Sequence, residues 1–75
     1  MKVKLQGIKS IKISREYIKL DSLLKYALIT STGGEAKYLI QNGDVYVGNK
    51  VCFERGKKIR QGDIVQCGQD VLLIK

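Results

Sequence analysis

The chain has 75 residues, 14 basic and 7 acidic side chains, a formal net charge of +7 and no histidine. That length supports one small domain with a thin core, since folding at this size buries only about 60% of the unfolded chain's surface. Without imidazole there is no Ser–His or Cys–His nucleophile, and two cysteines, Cys52 and Cys67, are too few for a four-thiolate zinc site or a disulfide framework.

Residues 1–16 read as extended. Val3 and Leu5 alternate with Lys2 and Lys4, and Gly7 breaks the run. Ile11 and Ile13 then alternate with Ser10, Lys12 and Ser14. Two short strands with a turn near Gly7 are predicted. The period next changes to that of a helix. Leu20, Leu23, Leu24, Ala27 and Leu28 form one apolar stripe, with Asp21 as the expected N-cap, so a first helix is predicted over 22–29.

Thr32-Gly33-Gly34-Glu35 fits a capping box, and Ala36, Leu39 and Ile40 supply the next stripe up to Asn42-Gly43. A second helix is predicted over 33–41. The short connection at 30–32 sets the two helices in a tight corner. Period two returns with Val45 and Val47 on one side and Tyr46 on the other. Gly48-Asn49 is a hairpin turn, and Val51 and Phe53 are expected to continue inward. Arg55-Gly56-Lys57-Lys58 reads as a basic loop and Gln61-Gly62-Asp63 as a turn. Strands follow at 64–67 and 71–74, joined by Gly68-Gln69-Asp70. The expected fold is α+β, two short helices packed on a small antiparallel sheet.

The longest apolar runs, 71–74 and 27–29, are too short for a secretory signal or a membrane span. Cytoplasmic location is the expectation, with Cys52 and Cys67 as reduced, buried thiols. The surplus of positive charge points to a polyanionic partner, nucleic acid before a membrane surface.

Three groups of residues carry candidate chemistry. At 30–34 the start of the second helix offers backbone N–H groups, two glycines for close approach and the hydroxyls of Ser31 and Thr32, with Lys37 one turn on. This can cradle a phosphate, or it can simply be a capped turn. Arg55, Lys57, Lys58 and Arg60 form a cationic cluster beside Glu54, either a phosphate-contacting loop or a solvated one. Tyr26, Tyr38 and Tyr46 fall off the apolar stripes and can stack on unpaired bases or pack at the core edge. Asp21 and Glu35 are assigned to capping, and Asp44, Asp63 and Asp70 to turns. No acid/base pair, metal site or cofactor site is expected.

The series Lys19-Leu20-Asp21, Leu23-Leu24-Lys25, Thr32-Gly33-Gly34-Glu35-Ala36-Lys37-x-Leu39-Ile40, Gly43-Asp44-Val45-x-Val47 and Gly62-Asp63-x-Val65 resembles the S-four RNA-binding domain, or alpha-L motif. The stretch 31–37 is similar to its stand-alone bacterial YaaA-like branch. The resemblance covers most of the chain. It implies a family core at 17–67, which the extended strands read at 1–16 precede and a C-terminal strand at 68–75 follows.

The resemblance further implies a non-catalytic module that binds structured RNA, ribosomal or transfer-RNA-like, with the ribosome as a partner and no membrane or small-molecule substrate. Contacts are implied at Lys19, Lys25, Thr32, Gly33, Gly34 and Lys37, with Lys50, Arg55, Lys57 and Lys58 beside them; the residues themselves add Tyr46, on the hairpin beside Lys50, as a stacking residue. The wider family often carries arginine where Lys19, Gly33 and Lys37 stand; the two lysines keep charge without the bidentate fork, and a phosphate contact at Gly33 must use the backbone. Single-stranded DNA binding and a protein-interaction adaptor are the alternative readings.

Overall fold

The computed structural model describes residues 8–75. In chain order the elements are β1 (Ile8–Ile11), β2 (Ile18–Lys19), α1 (Leu20–Tyr26), α2 (Gly33–Gln41), β3 (Val45–Val47), β4 (Lys50–Val51), β5 (Lys58–Ile59), β6 (Ile64–Cys67) and β7 (Asp70–Ile74). The class is α+β, as expected. Strands β1-β7-β6-β3-β4 form one sheet in that order, and β2 pairs with β5 in a separate ladder. One pair departs from the antiparallel expectation. Strand β1 runs parallel to β7, with Ile8 opposite Val71 and Ile11 opposite Ile74. A parallel pair needs a long crossover, and both helices and the remaining strands supply it. The strand expected at 2–5 and the turn at Gly7 lie outside the described residues.

Alternation along the strands divides the sheet into two faces. Val45, Val65 and Leu72 are fully buried beneath Leu20, Leu23 and Leu24 of α1 and Ala36 and Ile40 of α2. Tyr46, Val51, Ile8 and Ile64 remain exposed on the other face. Lys9 alternates to the helix side, and its Nζ donates to the Ala27 carbonyl at 3.2 Å. A cation is thereby set against the negative end of α1.

Helix α1 begins two residues earlier than predicted, and Asp21 is not its N-cap. Lys19 holds that position and makes no side-chain cap. The first N–H groups are satisfied from far along the chain instead: Leu20 donates to the Lys57 carbonyl at 2.9 Å and Asp21 to the Arg55 carbonyl at 3.0 Å. The Asp21 carboxylate accepts from the Ser22 N–H at 2.7 Å. The helix also ends early. Leu28 N–H donates to Lys25 O and Ile29 N–H to Leu24 O, the paired bonds of a Schellman closure. This closure wants glycine where Leu28 sits with φ of 63°. The left-handed turn swings Leu28 out of the expected stripe, to 83% exposure.

Helix α2 has the predicted bounds. The Glu35 N–H donates to Thr32 Oγ1 at 3.1 Å. The reciprocal arm of the capping box lands one residue earlier, the Glu35 carboxylate accepting from the Ser31 N–H at 2.7 Å and from its hydroxyl at 3.1 Å. Hairpin β3–β4 turns at Gly48-Asn49, where the positive φ of Gly48 suits a type II′ turn. The two-residue turn pairs Val51 with outward-facing Tyr46, so Val51 and, two residues on, Phe53 do not point inward. Cys52 packs against the core instead, its N–H bonded to Val45 O at 2.9 Å. Phe53 lies outside over Gly43, where a Cβ would stand 3.5 Å from the ring.

Two stability outcomes are expected. Thr32→Ala removes the cap acceptor and costs about 1 kcal/mol, read from the urea midpoint at unchanged m. Leu28→Gly relieves the left-handed strain and raises stability by about 0.5–1 kcal/mol, read the same way.

Candidate nucleic-acid interface

The docking that caps α1 also assembles charge. As the backbone at Arg55 and Lys57 meets the helix start, strand β2 pairs with β5 and sets Lys19 directly opposite Lys58. Lys19, Arg55, Lys57 and Lys58, separated by almost forty positions in sequence, thus surround one helix terminus, all with exposed side chains. Like charges directly opposite on neighbouring strands repel, so this arrangement costs the free protein and favours an anion. Lys25 is also exposed, in the last turn of α1.

The second group sits at the start of α2. Thr32, Gly34 and Lys37 are exposed there, and Gly33 is the first helical residue. The hydroxyl of Thr32 accepts from Glu35 and keeps its own proton for donation. The N–H groups of the first helical turn have no acceptor within the helix. Ser31 differs, because the Glu35 carboxylate already takes both of its donors. Those bonds, the Ser31 N–H first and its hydroxyl second, hold the Glu35 carboxyl below its ordinary value. Gly34, Thr32 and Lys37 are thus exposed to solvent, whereas Ser31 is occupied by an acid of the protein itself.

The hairpin residues divide. Lys50 pairs with Val47 and so shares the side of the sheet that carries the helices, whereas Tyr46 pairs with Val51 on the opposite side. The two were read together in sequence, and the structure does not bring them to one surface. Tyr26 and Tyr38 are 61% and 66% exposed. Tyr38 borders a shallow cavity with Ile29, Thr30, Gly34, Glu35 and Leu39. The Thr30 hydroxyl is buried there without a hydrogen-bond partner.

A second depression was not legible as a site in the sequence. It lies between segment 12–19 and α1, with a volume of about 890 Å³, and its lining includes Lys12, Arg15, Tyr17, Lys19, Ser22 and Tyr26. Lys58 Nζ stands 5.1 Å and Arg60 Cζ 5.9 Å from the centroid of the Tyr17 ring, within cation–π reach. The period-two reading of 11–16 concealed this. The sequence signal was the interleaving of Lys12, Arg15, Tyr17 and Lys19.

Among the described residues, no three His, Cys, Asp or Glu side chains are grouped to hold a metal ion. No helix among them is long and apolar enough to cross a membrane. Both cysteines are free, Cys52 half-buried and Cys67 buried.

Comparison with known proteins agrees with this architecture. Residues 11–75 match the family model described as the S4 domain. Over 56 residues the chain is 36% identical to the probable ribosome maturation protein RlbA of Bacillus subtilis (strain 168), an alignment that covers 75% of this chain and 79% of the relative. The matched region spans both helices and strands β2 to β7, with the cation-ringed helix start at their junction, and the chain belongs to the S4 domain family.

Proposed function

We propose that this protein is a non-catalytic RNA-binding module that recognises structured RNA, ribosomal RNA of an assembling subunit in the first place, and that it works in the cytoplasm. The observation that carries the reading is the convergence of Lys19, Arg55, Lys57 and Lys58 on the α1 start, in an S4 domain. The name of the RlbA relative, a probable ribosome maturation protein, supports the choice of RNA.

Each residue has a role set by its chemistry. Lys19, Lys25, Lys37, Arg55, Lys57 and Lys58 neutralise phosphates, and Lys50 extends the cationic surface along the hairpin. Gly33 and Gly34 present backbone N–H groups to one phosphate, and the Thr32 hydroxyl donates beside them. Tyr46, on the far face of the sheet, is left out of this contact set. Such contacts fix position on a folded RNA without reading bases, so recognition follows shape more than sequence.

With three to five phosphates neutralised, log K against log salt for a structured ribosomal RNA fragment has a slope of roughly −2 to −4, measured by fluorescence anisotropy. A flat response would remove the mechanism. Replacing Lys25 and Lys37 together with glutamine weakens binding to unrelated RNA sequences alike and makes that slope shallower by about 2. An unchanged slope places the contacts elsewhere.

A further inference from the structure

The groove between segment 12–19 and α1 combines features that a phosphate-positioning surface alone does not need. Three cations line it, Lys12, Arg15 and Lys19, against one acid, Glu16. Two further cations, Lys58 and Arg60, stand over the Tyr17 ring at its edge. Since Tyr17 already engages two cations, the aromatic surface left for a ligand is that of Tyr26, exposed and part of the groove wall. The Ser22 hydroxyl, one helical turn before Tyr26, adds a donor and acceptor on the same wall.

We propose that this groove is a second RNA subsite, which seats an unpaired nucleotide that flanks the structured region. It rests on the RNA-binding reading above and assigns Lys12, Arg15, Ser22 and Tyr26 to it. The volume falls in the range of about 300–1,000 Å³ typical of small-ligand sites, room for a nucleotide or two and not for a duplex. Positive potential selects a phosphodiester. An exposed ring beside it gives a base a face to stack on, the combination that recurs in single-strand binding. Lys19 joins the two surfaces, because it lines the groove and is also the cross-strand partner of Lys58. An RNA chain held at the α1 start therefore passes into the groove without leaving the cationic surface.

The test is fluorescence anisotropy with a labelled RNA hairpin, blunt or carrying a short uridine tail, on the full chain. The tail tightens binding by about tenfold. Tyr26→Leu and Arg15→Gln each erase most of that advantage, and circular dichroism shows both variants folded, since both side chains are exposed. Lys37→Gln weakens both RNAs and leaves their ratio unchanged. Equal binding of the two hairpins by the unmodified chain, or a tail advantage that survives both groove variants, overturns the subsite and leaves the RNA-binding reading standing. Failure to bind either hairpin overturns both.

Discussion

Two backbone hydrogen bonds, from Leu20 and Asp21 of α1 to the carbonyls of Lys57 and Arg55, are the constraint from which the functional surface follows. A helix start with no side-chain cap leaves N–H groups that must find acceptors. Here the acceptors come from a loop far along the sequence. Once the loop docks, the β2–β5 ladder forms, fully buried Ile59 enters the core, and the lysines of the two strands face each other. Packing and charge are thus set by the same contact. The loop cannot leave the helix without exposing Ile59 and unpairing backbone.

Charge gathered in this way is a liability to the isolated fold and an asset to a binder. Mutual repulsion among exposed lysines is modest in water and screened by salt. A polyanion that lies across them releases that repulsion together with its own counterions. The α2 corner is tempered differently. Its Glu35 carboxylate secures Ser31 and the first turn, which rigidifies the corner, and it leaves the phosphate-facing donors to Thr32, Gly33, Gly34 and Lys37.

Local signals made part of this legible in sequence. Helix α2 has the expected bounds because its cap, its stripe and its closing glycine all act within a few residues, so nearest-neighbour chemistry decides them. Helix α1 was shifted because its cap is tertiary. Asp21 has the right chemistry to cap, but a distant carbonyl occupies the role. Leu28 kept the helical spacing of a core residue, and one left-handed residue removed it from the helix. Val51 and Phe53 kept the right period on the wrong side: the two-residue turn sets Val51 opposite Tyr46, and Cys52, opposite Val45, took the inward place. The groove was hidden for the same reason. Lys12, Arg15 and Tyr17 form a wall only because the chain leaves β1 after Ile11 and returns to pair at Ile18. No periodicity within the segment encodes that departure.

The two thiols stand in different surroundings. Cys67 lies in β6 between β3 and β7, and burial, followed by the nearby carboxylates of Asp44 and Asp70, pushes its thiol upward. At neutral pH it stays protonated and shielded, whereas Cys52 sits half-exposed with its Sγ 3.6 Å from the Glu54 carbonyl. Alkylation consequently distinguishes them: modification of Cys52 proceeds on the native protein, and modification of Cys67 waits for the central strands to separate. The chain carries its own reporter of sheet opening, in the central strand of the five.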